Sequence, residues 1–325
     1  MTLVEARRLT TAGIARAAQR INPVFLHTPV VSHDDVDAWL GARVSLKVES
    51  LGPLRSFKGR GGDWFMKQRT NTGPVCAASA GNFGQALAWA ARHAGVSCTL
   101  FASRHASPLK LERMRALGAT LLQEGEDFDA AKDAARAYAR DTGIEFVEDG
   151  DALAITEGAG SIAVELANAV TLDTLLVPLG NGALLAGVAT WMKAVSPTTR
   201  VVGVVADGAP NMMKALTGIQ VDHTAAVNTI ADGIGVRVPV PAAVEDLRAL
   251  ADDLVAVSED AITAAMRGLM AHVGLVIEPA GAVGIAAILS ASHGTYGERV
   301  GTILCGGNVT TEQLSAWGAL RPGLA

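Results

Sequence analysis

Four short segments of the chain carry residues suited to chemistry, and each of them contains or adjoins glycine. The first, Ser56-Phe57-Lys58-Gly59-Arg60-Gly61-Gly62, places an amine directly before a predicted helix. The positive end of a helix dipole disfavours the charged form of that amine, and an uncharged lysine is a nucleophile. Taken alone, Lys58 is better explained as an ordinary exposed lysine in a loop, because most lysines lie at the surface.

Two further segments follow the order strand, small residues, helix. Ser79-Ala80-Gly81-Asn82-Phe83-Gly84-Gln85 comes after one apolar run, and Pro178-Leu179-Gly180-Asn181-Gly182-Ala183 comes after another. Backbone amides at the start of a helix bind carboxylate or phosphate groups. The first segment is also typical of a simple N-cap, and the glycine spacing of the second differs from that of a dinucleotide-binding motif.

The fourth segment, Cys305-Gly306-Gly307-Asn308, ends another apolar run. No histidine or other base lies near Cys305 in the sequence, so a buried thiol is a better interpretation than a reactive one. The other cysteines, Cys76 and Cys98, are far away, and no Cys or His pair has the spacing of a zinc site. We therefore expect no disulfide framework and no structural metal.

The elements that must position these segments alternate between short apolar strands and alanine-rich helices. Such alternation with short connections predicts an α/β fold with parallel sheets covered by helices on both faces. The predicted strands are 43–48, 75–78, 97–101, 119–122, 144–147, 173–177, 200–205, 254–257 and 300–304. The predicted helices lie near 60–70, 82–94, 108–117, 126–141, 157–170, 182–194, 211–217, 259–273 and 280–291.

Nine strands are many for one domain of this length, so the sequence favours two. Residues 67–146 are predicted to form a small parallel-sheet domain. Residues 1–66 and 147–325 would form the larger domain, in which the small one is inserted, with a cleft between them. The stretch 218–253 is the least regular part, and we interpret it as loop and short helix.

Composition excludes several classes of function. Half of the 325 residues are hydrophobic and 18% are charged, which excludes a disordered chain. The net charge of −5 disfavours nucleic acid as a partner. Apolar stretches are interrupted before they could span a membrane, and the N-terminal segment resembles an amphipathic helix rather than an export signal. We expect a cytoplasmic protein.

The four segments, in this order and at these separations, resemble the fold-type-II pyridoxal-phosphate enzymes, within them the serine/threonine dehydratase and serine racemase group. The similarity extends over about residues 20–310 and includes Glu278-Pro279-Ala280-Gly281. It implies two open parallel-sheet domains and pyridoxal 5′-phosphate as cofactor. It also implies a small amino acid as substrate, and relatives of this group are commonly homodimers.

By this resemblance Lys58 would carry the cofactor covalently and act as the catalytic base, while Phe57 would pack on the cofactor ring. Asn82 would bind the 3′-oxygen and Cys305 would face the ring nitrogen. The phosphate would lie on the amides of Gly180, Asn181, Gly182 and Ala183, and the substrate carboxylate would be held by Ser79, Ala80, Gly81, Asn82 and Phe83.

The implied activity is an ammonia-lyase reaction, in which L-threonine, L-serine or a related β-hydroxy amino acid loses water to give a 2-keto acid and ammonia. A thiol cannot keep the ring nitrogen protonated, so early loss of the β-hydroxyl is favoured over transamination. Ala80 stands where racemising relatives carry serine, which favours a dehydratase.

Three departures from the family pattern are Phe83, where many members carry histidine, and Asn181 and Ala183 in place of glycine. The alternatives left open are a racemase, a β-replacement enzyme and a ligand-binding relative without catalysis. No divalent metal site is expected, whereas a monovalent cation is compatible with the family.

Overall fold

The protein contains two separate β-sheets, as seen in a computed structural model that describes residues 7–317. Its strands are β1 (Val30–Val31), β2 (Arg43–Val48), β3 (Val75–Ala78), β4 (Cys98–Ala102), β5 (Thr120–Gln123), β6 (Glu145–Phe146), β7 (Thr174–Pro178), β8 (Arg200–Ala206), β9 (Asp253–Val257) and β10 (Arg299–Leu304).

The helices surround both sheets. They are α1 (Thr11–Arg20), α2 (Asp34–Leu40), α3 (Lys58–Gln68), α4 (Asn82–Ala94), α5 (Pro108–Ala116), α6 (Phe128–Thr142), α7 (Leu153–Ala169), α8 (Ala183–Val195), α9 (Asn211–Leu216), α10 (Pro241–Leu247), α11 (Glu259–Gly268), α12 (Pro279–Ser290) and α13 (Thr311–Ala316). Within the described residues, no helix has the length and apolar character needed to cross a membrane.

The larger sheet has six strands in the order β1-β2-β10-β7-β8-β9. All neighbours are parallel except β1, which pairs antiparallel with β2. Side chains alternate between two apolar layers: Leu175 and Val177 pack toward α1, α7 and α8, whereas Leu176 packs toward α2, α11 and α12. Burial on both faces explains why the central strands are continuous apolar runs.

The smaller sheet has four parallel strands in the order β5-β4-β3-β6 and lies wholly between residues 75 and 146. One face packs against α3, α4 and α5, and the other packs Phe101 against α6. Two parallel α/β sheets confirm the predicted fold class. The domain limits at 66 and 147 stay a prediction.

Helix α3, which begins at Lys58, lies between α4 of the smaller unit and α7 of the larger one. A β-carbon on Gly158 of α7 would come within 2.6 Å of the Gly61 α-carbon. A β-carbon on Gly62 would come within 2.8 Å of the Ala86 carbonyl oxygen in α4. Gly61 and Gly62 are therefore required by the close packing of α3 against α7 and α4.

Candidate active site

A cavity of about 800 Å³ lies between the two sheets, where the carboxyl ends of their parallel strands face each other. Ligands of open α/β sheets bind at this edge. The cavity is lined by all of the site residues predicted from the sequence: Phe57, Lys58, Ser79, Ala80, Gly81, Asn82, Phe83, Gly180, Asn181, Gly182, Ala183 and Cys305. The four separated segments thus meet at one place.

The segment before Lys58 is attached to the segment after β10. Ser56 and Gly306 form an isolated antiparallel bridge, and the Phe57 amide donates to the Cys305 carbonyl oxygen at 3.0 Å. This pairing brings Lys58 close to the end of β10. The Lys58 side chain is only 14% exposed. Its amine lies 4.8 Å from the centre of the Phe57 ring and donates to Asp149 Oδ2 at 2.5 Å.

The loop from Ser79 to Phe83 joins β3 to α4. The Ser79 hydroxyl accepts hydrogen bonds from the amides of Gly81 and Gly84, at 3.2 and 3.0 Å, and so folds the loop around its own side chain. Asn82 and Phe83 are the first residues of α4, and amides there have no partner within a helix. These donors at the positive end of a helix suit a carboxylate.

Asn82 is held by a hydrogen-bond network that joins the two units. Its Nδ2 donates to Glu278 Oε1 at 2.8 Å, and its Oδ1 accepts from Asn308 Nδ2 at 2.8 Å. The Asn308 Oδ1 in turn accepts from Arg113 of α5 at 3.1 Å. Burial raises the pKa of Glu278. The Asn82 Nδ2 also donates to Glu278 Oε2 at 3.1 Å, so both carboxylate oxygens hold this amide at the cavity wall.

The glycine turn before α8 lines the cavity and packs closely against neighbouring residues of the protein. Gly182, which precedes α8, has a φ of +97°, a left-handed conformation that side chains disfavour. A β-carbon on Gly180 would lie 3.0 Å from the Ile234 α-carbon. The amides of Gly182 and Ala183 stand at the start of a 13-residue helix, which favours an anion.

Cys305 is buried at the end of β10. Burial raises the pKa of its thiol far above the usual range, and the nearby Glu278 carboxyl raises that pKa further. The thiol is therefore neutral at physiological pH. It presents a weak hydrogen-bonding group and no charge to whatever faces it.

These residues fit pyridoxal phosphate. The turn at Gly180–Ala183 lines the cavity and offers helix-terminal amides to a phosphate. Lys58 provides an amine for an aldehyde, and Phe57 provides an apolar face beside that amine. Cys305 and Asn82 supply the neutral group and the amide donor that the ring nitrogen and ring oxygen require.

Nine charged residues of the cavity were not among the predicted site residues. They include Asp149 beside Lys58, Lys132 on α6, and Arg237 in the irregular stretch before α10. Of these three, only Asp149 had a signal in the sequence, because it follows the short strand β6 at the same sheet edge as Ser79. Glu278 belongs to a recognised motif, but its contact with Asn82 could be identified only in the folded structure.

The possible metal ligands in the described part of the chain do not come together. Among residues 7–317, no group of three or more His, Cys, Asp or Glu side chains is arranged to hold an ion.

The geometry agrees with comparisons to known proteins. Residues 21–306 match the model of the family described as pyridoxal-phosphate dependent enzyme, so the chain belongs to this family. It is 31% identical over 310 residues to an L-threonine ammonia-lyase of Thermotoga maritima, covering 94% of this chain and 77% of the relative.

Two solved structures have the same fold. A threonine deaminase from T.th. superposes with a TM-score of 0.85 at 32% identity, covering 93% of this chain and 99% of that one. A pyridoxal 5′-phosphate-dependent aspartate racemase superposes with a TM-score of 0.88 at 28% identity, covering 96% and 99%. The predicted family and its fold are thereby confirmed, and the chain is similar to both lyases and racemases.

Proposed function

We propose that the protein is a pyridoxal-phosphate-dependent ammonia-lyase that eliminates water from L-threonine, L-serine or a related β-hydroxy amino acid. The observation that carries the proposal is the position of the Lys58 amine. It lies in one cavity with a helix start suited to a carboxylate, a glycine turn suited to a phosphate, and a neutral thiol. The similarity to an L-threonine ammonia-lyase supports this choice of substrate class.

Each group has a defined task in such a reaction. The amides at the start of α4 and the Ser79 hydroxyl bind the substrate carboxylate, which orients Cα toward Lys58. When bound, pyridoxal phosphate supplies the electron sink that makes the α-hydrogen acidic. The freed Lys58 amine takes that proton. The electron pair left at Cα forms the Cα–Cβ double bond as the Cβ–O bond breaks, and the leaving hydroxide takes the proton from Lys58 to depart as water. The released enamine tautomerises to an imine, and its hydrolysis by one water gives a 2-keto acid and ammonia.

The first experiment tests the cofactor and the amine together. Purified protein with added pyridoxal phosphate should show the visible absorbance of a covalently held cofactor, and Lys58→Ala should lack it. Lys67→Ala is the matched control, because Lys67 lies on the same helix α3 with its side chain 42% exposed. Wild-type protein that stays colourless with excess cofactor would refute the proposal.

A second experiment separates the lyase from its alternatives. L-serine and L-threonine should yield 2-keto acid, whereas the similarity to an aspartate racemase makes enantiomer formation the principal competitor. D-serine as the dominant product would identify a racemase. Transfer of an added thiol to Cβ would identify a β-replacement enzyme, and tight cofactor binding without turnover would identify a ligand-binding relative.

Three finer properties belong to the proposal. We infer a homodimer and a cytoplasmic location from the family resemblance. The third property is the binding of a monovalent cation, which is compatible with the family. Light scattering with and without potassium addresses the assembly, and activity in potassium against a tetraalkylammonium salt addresses the cation.

A further inference from the structure

We propose that Asp149 is a positioning residue for Lys58: it holds the lysine amine in place before the cofactor arrives and again when the substrate has displaced it. The second part of this statement rests on the proposed function. Asp149 Oδ2 lies 2.5 Å from Lys58 Nζ. Within residues 7–317, no other carboxylate lies at salt-bridge distance from this amine.

The pair is shielded from water, which makes the two groups depend on each other. The side chains of Lys58 and Asp149 are 14% and 10% exposed. The second oxygen of Asp149, Oδ1, is buried and has no hydrogen-bond partner in the described part of the chain. Lys58 is therefore the main compensation for a buried carboxylate, and an uncompensated one is costly.

The backbone on both sides of Asp149 is fixed. Gly150 has a φ of +94°, and a β-carbon there would come within 2.6 Å of the Asn181 carbonyl oxygen, so this loop packs directly on the glycine turn. On the other side, Glu148 accepts a hydrogen bond from Arg136 of α6 at 2.7 Å. Asp149 is thus a rigid anchor whose position is set relative to the candidate phosphate site.

A rigid anchor matters because the lysine side chain is not rigid. It has four rotatable bonds, and many of its conformers point the amine away from a reacting carbon. A hydrogen bond to a fixed carboxylate restricts the amine to one region of the cavity. The ammonium donates it before the cofactor is bound, and the neutral amine donates it once the substrate has displaced the lysine, which leaves the lone pair free for the Cα proton. Correct placement of a reacting group contributes strongly to rate, and small displacements are costly. Asp149 acts through Lys58 and needs no contact with substrate.

The first test uses the cofactor-free protein and does not depend on activity. Lys58→Met removes the amine and leaves the Asp149 carboxylate without its partner, so thermal unfolding should occur at a lower temperature than in wild type. Adding Asp149→Asn to Lys58→Met should raise the melting temperature by about 2–4 °C, because a neutral amide replaces an unpaired buried charge.

The matched control is Asp151→Asn in the same Lys58→Met background. Asp151 is an exposed residue of the same loop, so the identical chemical change should leave the melting temperature unaltered. If Asp149→Asn gives no rise, or a further fall, the buried pair does not exist and the proposal is wrong.

The second test uses the loaded enzyme and asks whether the amine is misplaced. Asp149→Asn should lower kcat about tenfold or more with KM for L-threonine within about twofold of wild type. Asp149→Glu should recover part of the loss, and Asp151→Asn should behave as wild type. With α-deuterated L-threonine, the isotope effect on kcat should equal or exceed that of wild type, because proton removal is the impaired step.

Unchanged kcat, a matching rise in KM, or a smaller isotope effect would each overturn the positioning role. If no amino acid is turned over even by wild type, the proposed function fails. The melting experiment on cofactor-free protein still decides whether Lys58 and Asp149 are paired.

Discussion

The side chain at position 80 is small, and its lack of a hydroxyl has a direct consequence for stereochemistry. Ala80 lines the cavity in the loop that is suited to the substrate carboxylate. Racemisation requires a proton donor on the face of Cα opposite to the base, and an alanine methyl group has no proton to exchange. The family resemblance places a serine hydroxyl at this position in racemising relatives.

We therefore expect Ala80→Ser to open a racemisation route. The ratio of D-serine formation to 2-keto acid formation from L-serine should rise at least about tenfold, because a positioned acid contributes about 10²-fold or more to proton transfer. Chiral chromatography of the reaction mixture measures this ratio. Ala106→Ser, another cavity alanine outside the loop, is the control. Equal ratios in both variants would contradict the assignment of position 80.

At the scale of single residues, the sequence predicted those site residues that lie in recognisable local patterns. Lys58, Asn82 and Cys305 stand in glycine-flanked segments with recognisable neighbours, and the fold brings them into one cavity. Asp149 is followed by Gly150 but belongs to no recognised motif, and its role depends on a lysine 91 residues away in the chain. Contacts of this kind are set by the packing of two sheets, which no local spacing records.

At the scale of helices and strands, a buried network of charged side chains links α3 to α7 and to the larger sheet. Arg60 donates to Glu49 at 2.8 Å and to Glu165 of α7 at 2.7 Å, and Lys47 of β2 donates to Glu165 at 2.6 Å. Burial alone would raise the pKa of Glu165, but the hydrogen bonds and charges of Arg60 and Lys47 outweigh it and lower the pKa to about 2. The network ties the helix that begins at Lys58 to the larger sheet.

This lowered pKa predicts a pH dependence of stability. A carboxylate whose pKa falls on folding stabilises the protein above its ordinary pKa of about 4.5, and the contribution is lost as pH falls toward 2. Glu165→Gln should lower the free energy of unfolding by of the order of 3 kcal/mol at pH 7, with the deficit shrinking below about pH 4.5.

Urea unfolding of wild type and variant between pH 7 and about pH 3 measures the difference. Glu298→Gln supplies the control, because the Glu298–Arg43 pair is exposed and such pairs contribute little. A Glu165→Gln deficit that is constant across this range would show that the charge of Glu165 is not what stabilises α3.

The glycine turn before α8 leads to a second prediction at the scale of helices and strands. Gly182→Ala forces a side chain into a φ of +97° and brings its β-carbon within 2.9 Å of Leu247. The turn should shift, and the dissociation constant for pyridoxal phosphate should rise about tenfold or more. Gly143→Ala at the end of α6 also has a positive φ, +72°, but meets nothing within 4 Å. It should lose about 1–2 kcal/mol of stability.

Absorbance titration of both variants with cofactor separates the two effects. The Gly143→Ala protein should bind pyridoxal phosphate as wild type does. If the two variants bind it equally well, the turn at Gly180–Ala183 does not hold the phosphate.

Most helices and strands were predictable because the spacing of their apolar residues is unambiguous. Where the structure differs from the prediction, the cause is local. The predicted helix 259–273 ends as an α-helix at Gly268 and continues as a π-helical turn, Leu269–Val273. A β-carbon on Gly268 would lie 1.9 Å from the Trp39 ring, so this close contact accompanies the change of helix type. Strand β1 has only two residues, which is too short for any period to be read from the sequence.

Across the whole molecule, polar contacts join the two units around the mouth of the cavity. Arg237 of the larger unit donates to Asp127 and Asp129 at the start of α6, at 2.7 and 2.6 Å. Lys110 of α5 pairs with Asp232. Acidic residues near 127 are typical of a solvated helix start, and Asp127 does cap α6 through the Ala130 amide. Their second role became visible only once the two sheets were placed together.

These contacts predict that Arg237 controls how firmly the cavity closes over its substrate. Arg237→Gln removes a partly exposed bridge of about 1 kcal/mol or less, so KM for L-threonine should rise about two- to fivefold. The value of kcat should stay within about twofold, because Arg237 is not needed at the reacting carbon. The wild-type KM should also rise with ionic strength, and the variant should respond less, since salt screens exposed charge pairs.

Steady-state kinetics at low and high potassium chloride measure both effects. Arg248→Gln is the matched control: Arg248 pairs with Glu245 inside the larger unit, on the surface and outside the cavity lining. A fall in kcat at constant KM in Arg237→Gln would instead place this residue in the chemical step. Equal effects of the two substitutions would mean that the bridge to α6 does not govern closure, and that the network through Asn82 and Glu278 holds the two units together.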